Sequence, residues 1–592
     1  MKKVLCMLLP VAIVAAGCEK EDIGGSVENP WGNSGSNGTA QSYTASGNST
    51  VDITAAEPAE DLIANTNFDR TISIVFSSGG ATVSGDANGI VSVNGSKVTA
   101  NNTGTSEKVM YKLSGSTSNG YFKVYSKNKQ AIVLDGVSIT NPNGAAINNQ
   151  GKKRCFVVVN GTNTLADGSS YTGTPSDEDE KAAFFSEGQL IFSGEGSLTV
   201  TAKGKAGITS DDYVRFVDSP TINVSSSAGH GIRGKDAVVV SAGTLSVTTS
   251  ANMKKGVASD SLVVFDGGVT TIKVSGGTAY DSDDSEYKAS AGVKADQLFV
   301  MNAGTLTISN SGQGGKGISG DGPGYFQGGT VQVTATGSNY GSSSNGQGGP
   351  GGWNGGSSSS DNSKSAKGIK FDGNIYITGG EITATSSNHE GIESKGIIEI
   401  SGGTVYAQAK DDAINSAGDM AILGGFVGAY STGNDGLDAN GNLYIEDGVV
   451  YAIGSGGAEV AIDANTEGGK KLYVNGGTIV AIGGLENGSS LSQSCYSASS
   501  WTKGAWYALS AESVTYAFKT PSSAGSGLVV SAPSEPTLKN GVTVSGGHNI
   551  FNGMFNPDGS VSGGSSVSLS AYSGGNGMGG GFGGGGFGGR GW

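Results

Sequence analysis

Apolar and polar residues alternate with period two in short runs along most of this chain, and the runs recur about every 24 residues. Four consecutive copies show the unit: KGIKFDGNIYITGGEITATSS (367–387), EGIESKGIIEISGGTVYAQA (390–409), DAINSAGDMAILGGFVGAYS (412–431) and DGLDANGNLYIEDGVVYAIG (435–454). Each holds a small and an apolar residue, a polar turn, a short strand, Gly-Gly or Asp-Gly, and a second strand. Alternation of this kind marks strands rather than helices. A fixed period in this range marks a solenoid with one coil per repeat. The expected fold is all-β, a right-handed parallel β-helix with irregular β caps at both ends. A propeller, which needs roughly 40 residues per blade, ranks second.

One apolar position per repeat serves as a marker: Ile147, Phe184, Ile208, Ile232, Val257, Val293, Ile318, Ile369, Ile392, Ile414, Leu437 and Ile462. Where an interval is long it contains a polar insert, at Tyr171–Glu180, Tyr280–Lys288 and Ser338–Ser363. The acidic groups of the first two inserts lack the glycine and final glutamate of a calcium-binding hand loop and read as solvated. Alternation sets the faces. Ile375, Ile398, Met420, Leu443 and Leu472 point inward, as do Ile382, Val405, Val427, Val450 and Ile479 in the next strand. Tyr376, Glu399, Ala421, Tyr444 and Tyr473 point outward.

The expected organisation is a lipoprotein signal peptide (1–17), a flexible tether (18–45), an N-terminal β cap (46–130), the β-helix (131–485), a C-terminal β cap (486–572) and a disordered Gly-rich tail (573–592). Lys2 and Lys3, the apolar run Val4–Val14 and Ala15-Ala16-Gly17-Cys18 make the leader, with Cys18 the expected lipidation site. An outer-membrane, cell-surface location anchored through Cys18 follows, the lipid being the sole membrane contact. After removal of Cys6 and acylation of Cys18, Cys155 and Cys495 remain, far apart in sequence, so the fold is no disulfide scaffold.

Composition narrows the partners. Of 592 residues 104 are glycine and only 12 proline, and the glycines keep fixed places in the repeat, as turns do. The net charge is −15 and the five arginines form no stripe, which argues against nucleic acid.

Acidic residues collect in columns. Two places before the marker stand Glu390, Asp412 and Asp435; one place after it stand Glu393, Asn415, Asp438 and Asp463; Asp411 and Glu459 flank the same turns. Neighbouring strands lie about 4.8 Å apart, and calcium–oxygen bonds run about 2.3–2.6 Å, so one ion fits between carboxylates of adjacent rungs. Oxygen ligands favour calcium; His389 could add a nitrogen. The alternative is a set of solvated turn carboxylates. For sugar contact, the outward Tyr376, Tyr444 and Tyr473 share one face and Tyr406 and Tyr451 the next, unless tyrosine merely suits exposed strand positions.

Several segments resemble a family of bacterial carbohydrate-binding-domain proteins with a calcium-binding parallel β-helix, related to family nine pectate lyases. They include VMYKLSGSTSNGYFKVYSKNKQAIVLDGVSITNPNGAAI, FVVVNGTNTLADG, FFSEGQLIFSGEGSLTVTA, KGIKFDGNIYITGGEI, EGIESKGIIEISGGTV and DGLDANGNLYI, within roughly residues 110–485. The resemblance implies polysaccharide binding and calcium. The combined expectation is a surface lipoprotein that binds acidic polysaccharide, polygalacturonate or pectin-like, through calcium held on adjacent rungs, more a binder than an enzyme. One rival is a calcium-dependent lyase with Lys410 or Lys395 as base, Lys367 and Lys370 lying one rung earlier. Another is a non-sugar adhesin or structural surface protein.

Overall fold

The structure is a computed structural model that describes residues 41–45, 58–341, 363–457 and 459–574. It is a β-solenoid of about 15 turns, with 55% of residues in strands and, among the described residues, no α-helix. The leader, Cys18 and the Gly-rich end lie outside the described residues, as does most of the Ser338–Ser363 insert.

Each coil contributes three short strands that pair in parallel with those of the next. Ile392–Ser394, Ile398–Ile400 and Thr404–Ala409, for example, lie on Ile414–Ser416, Met420–Ile422 and Phe426–Ser431. The marker residues fall in one register from Ile147 to Ile462. The column also runs back through Phe122 to Val98. Both inner ladders are fully buried: Ile375 through Leu472 and Ile382 through Ile479 are no more than 1% exposed. Identical small aliphatic groups stacked along the axis fill a narrow core without voids, each worth about 1.5–3 kcal/mol when fully buried. The Gly-Gly pairs turn the chain between ladders, and Gly380, Gly403 and Gly425 hold φ near +80° there.

Parallel stacking starts well before residue 131. Arg70–Ser77 already pairs in parallel with Val109–Thr117, which pairs with Gln130–Asn141. The true edge is closed by two antiparallel hairpin pairings, Arg70–Ser77 with Gly80–Ser84 and Val91–Asn94 with Lys97–Asn102. These put antiparallel strands over the first coils at that end. Residues 58–65 are pinned outside the coils by Asp61, which meets Arg154 Nε at 2.6 Å and Arg215 Nε at 3.1 Å.

At the other end Thr478–Ile482 pairs antiparallel with Leu528–Ser531. A five-stranded antiparallel sheet then folds back along the outside of the coils. Its Tyr507, Phe518, Phe551 and Phe555 pack against Tyr406, Tyr451, Val449 and Val480. Phe551 stacks on Tyr406 at 5.7 Å and occupies the outward place above Gly428, where a Cβ would come within 2.7 Å of its ring. Cys155 and Cys495 are free and buried.

Candidate functional site

The corner of the coils that precedes the marker strand carries the charged columns. In register there stand Lys255, Ala291, Lys316 and Lys367, followed on succeeding rungs by Glu390, Asp412 and Asp435. One place beyond the marker, Lys294, Ser319, Lys370, Glu393, Asn415, Asp438 and Asp463 stack in turn. Leu485 pairs with Ile462 as a further marker, so Glu486 extends this column. The sequence reading missed Glu486, although the spacing from Ile462 to Leu485 carried the signal.

The acidic residues divide into two groups. The first is neutralised. Lys367 Nζ lies 3.1 Å from Glu390 and in hydrogen-bond contact with Glu393, which Lys395 also contacts. His389 Nδ1 contacts Glu390 and lies 3.1 Å from Asp411. Burial alone would raise Glu390, but the His389 hydrogen bond and the Lys367 charge hold its carboxyl well below the usual range. His389, Glu390 and Asp411 bring one ligand atom each within 4.8 Å of one another, so the histidine is part of the cluster.

The second group has no cation. Among the described residues no lysine, arginine or histidine forms an ion pair with Asp412, Asp435, Asp438 or Asp463. Asp412 and Asp435 are each only 6% exposed. Asp412 accepts from the Asp435 N–H at 3.2 Å, Asp435 accepts from the Val460 N–H at 2.5 Å, and Asn415 Nδ2 donates to Asp438. Burial first pushes the pKa values of Asp412, Asp435, Asp438 and Asp463 upward; neighbouring carboxylates add to this at Asp412, Asp435 and Asp463, while hydrogen bonds from Asn415, Asp412 and Asp463 act the other way at Asp438. Buried carboxylates without a partner are costly. In its chemistry this donor set, all oxygen and short of positive charge, suits a hard divalent cation such as calcium. Glu390 and Glu393 do not need one. Among the described residues the ligand atoms that already converge within 4.8 Å are those of His389, Glu390 and Asp411 and of Asp179, Glu187 and Asp211.

The tyrosines depart from expectation. Tyr376, Tyr444 and Tyr473 do face out of the coil, but they are only 5%, 4% and 9% exposed. Tyr376 stacks on Tyr325 at 5.0 Å, and Tyr444 on Tyr473 at 4.9 Å. Residues 41–45 lie over this face. Tyr43 packs 5.3 Å from Tyr444, its Oη reaches Glu399 at 3.2 Å, and Gln41 accepts from Tyr473 Oη at 3.0 Å. Tyr406 and Tyr451 are covered by the C-terminal sheet. None of these rings offers an open face to a sugar.

Of the lysines considered as a base, Lys395 is engaged. Burial would lower its pKa, but the Glu393 hydrogen bond and nearby carboxylates raise it, the wrong direction for a base near neutrality. Lys410 is exposed and takes part in no ion pair among the described residues. The Tyr171–Glu180 insert is docked rather than solvated: Glu178 accepts from Tyr125 Oη at 2.6 Å and Glu180 from the Ala145 N–H at 2.7 Å.

No curated protein matches the chain. Among solved structures, the polysaccharide lyase-like protein from C. thermocellum, determined as a gadolinium derivative, aligns with a TM-score of 0.36 and 22% identity, over 43% of this chain and 96% of that one. The family of carbohydrate-binding domain-containing proteins matches residues 94–253 and 313–413, which span early coils, the rungs of Lys316 and Lys367 but not that of Lys255, and the start of the acidic block. Over those two segments the chain is similar to carbohydrate-binding domain-containing proteins, as its repeats led us to expect.

Proposed function

We propose that this protein binds acidic polysaccharide of the polygalacturonate type through calcium held at the corner of the late coils. The family match supports carbohydrate binding in general. The observation that carries the finer reading is the cation-free set of buried Asp412 and Asp435 with half-buried Asp438 and Asp463. Asp412 and Asp435 would hold the ion from one column, Asp438 and Asp463 from the next, and Asn415 would orient Asp438. A bound calcium would supply positive charge where the protein presents only negative, and so a partner for sugar carboxylates. The same wall without it repels them. Lys395 is bound to Glu393 and does not favour the lyase alternative. Attachment to the outer membrane through Cys18 completes the proposal and rests on the leader pattern.

Retention of the purified protein on polygalacturonate, with calcium and with EDTA, tests this. Calcium-dependent retention is expected, and Asp412→Asn with Asp435→Asn should abolish it while the β-helix stays folded by circular dichroism. Undiminished calcium-dependent retention by the double variant would remove the acidic block from the mechanism.

A further inference from the structure

The column that ends in uncompensated carboxylates begins in uncompensated ammoniums. Lys255 and Lys316 occupy the same corner as Asp412 and Asp435, several rungs earlier. Lys255 Nζ donates to Met253 O at 2.7 Å and Lys316 Nζ lies 3.4 Å from Gly314 O. Among the described residues neither forms an ion pair with a carboxylate, whereas Lys288, Lys294, Lys367 and Lys370 all do. Burial, and then the charges of Lys254, Lys288 and Lys294 around Lys255, draw that ammonium down to about 8. Burial and then Lys367, Lys370 and Lys364 draw Lys316 down to about 7. Asp296 near Lys255 and Glu393 near Lys316 act the other way without reversing the result. Two half-buried ammoniums left without a carboxylate among neighbouring lysines are the pattern of an anion site.

Aromatic rings stand over the same corner. The hairpin Ala279–Asp281 with Glu286–Lys288 brings Tyr280 and Tyr287 together at 5.2 Å, and Tyr287 meets Tyr340 at 5.4 Å. Tyr287 precedes the Val293 marker and Tyr340 the Ile369 marker, so their contact joins the turns on either side of the one that carries Lys316. The foot of the hairpin is bonded to both lysine-bearing turns. Gly277 O accepts from the Met253 N–H at 2.8 Å, and Thr278 N donates to Gln313 O at 2.8 Å. Unlike the covered tyrosines of the late coils, Tyr280 is 52% exposed.

We propose that Lys255 and Lys316, under the arch of Tyr280, Tyr287 and Tyr340, form a second, calcium-independent site for a carboxylated polysaccharide. The ammoniums take the sugar carboxylates directly, and the ring faces take the apolar faces of the pyranoses. The inference rests on the carbohydrate-binding reading and locates a different part of the surface for it. Of the carboxylates on the hairpin, Asp281, Asp284 and Glu286 are engaged by Lys288, and the polymer gains two grips on one corner of the solenoid, one through protein cations and one through calcium.

The test uses the full chain and polygalacturonate in affinity electrophoresis at about pH 6, where carboxylates are ionised and lysines protonated. In EDTA the wild type should be retarded by polygalacturonate and not by its fully methyl-esterified form. Lys255→Met with Lys316→Met should weaken this on the order of tenfold or more. Tyr280→Ala, at an exposed position where folding is not at stake, should weaken it too. The calcium-dependent component should survive in both. Wild-type binding in calcium but none in EDTA would overturn the inference and leave the calcium reading standing. Binding in EDTA that both variants leave untouched would overturn it as well. Binding in EDTA that calcium does not increase, and that both variants lose, would uphold this site and defeat the acidic-block reading instead.

Discussion

Replacing Asp438 by asparagine should reverse its effect on stability according to whether calcium is present. Asp438 is in register with Asn415 and Asp463, and Asn415 donates to it. Neighbouring rungs are about 4.8 Å apart, and two full charges at that distance repel by roughly 3.5 kcal/mol at an effective dielectric near 20. The cation-free fold relieves this by keeping protons: burial raises all three, the neighbouring charges raise Asp412 and Asp463 further, and protonated Asp412 and Asp463 donate to Asp438. A carboxyl whose folded pKa lies above its unfolded value, near 4, contributes stability that is complete below that value and is lost as pH rises through the folded one. In EDTA, therefore, the wild type should lose stability between about pH 5 and pH 9. Asp438→Asn keeps the acceptor for Asn415 and removes one charge from the stack, so at about pH 9 it should be more stable than wild type by about 2–3 kcal/mol, with little difference at about pH 5. In calcium the same change deletes a ligand and should be destabilising, because an ion bound only to the native state adds RT ln(1 + [L]/Kd). Hydrogen exchange of peptides from coils 412–463, in EDTA and in calcium at both pH values, reads the effect locally. Equal exchange of variant and wild type in EDTA at both pH values would refute the claim that these carboxylates repel one another.

Two further outcomes are expected. Lys367→Met leaves Glu390 and Glu393 buried with one cation fewer and should cost on the order of 3 kcal/mol, read as a lower urea midpoint, with Glu393→Gln in the same chain restoring part of it; an unchanged midpoint would mean the pair is not held as described. Gly428→Leu should expel Phe551 and cost about 1–3 kcal/mol, seen as faster exchange in 506–567 with the coils still protected, and unchanged exchange there would contradict the docking.

Much of this fold was legible because a solenoid makes sequence spacing into spatial register. The marker column from Ile147 to Ile462 and the inward ladders could be read from alternation and period alone. Alternation also gave the direction of Tyr376, Tyr444 and Tyr473 but said nothing of their exposure. The segment that covers Tyr444 comes from residues 41–45, hundreds of positions away, and carries no repeat to betray its docking. The acidic columns were visible, yet their division was not, because it depends on which rung the last lysine occupies and how far Lys367 reaches. The early coils before residue 131 were obscured for a related reason: their strands pair in parallel, but the Gly79-Gly80 pair there turns an antiparallel hairpin and not a coil.

The seating of Phe551 over Gly428 has a bearing on how this chain can lengthen or shorten over generations. A solenoid grows by duplicating a coil, since each rung touches only its neighbours. Between Ile232 and Ile382, beyond the rungs that Asp61 ties together through Arg154 and Arg215, an added or deleted rung would meet little beyond adjacent rungs and the inserts that lean across them. From Tyr406 onward, the C-terminal sheet is measured against particular rungs: Phe551 over Tyr406 and Gly428, and Lys519 O on Tyr451 Oη at 2.7 Å. One rung more or fewer there would bring a bulky side chain under the phenyl ring and move the tyrosine off its acceptor. The late coils are thus locked in number, the acidic block lies within that locked stretch, and changes in length are confined to the rungs before it.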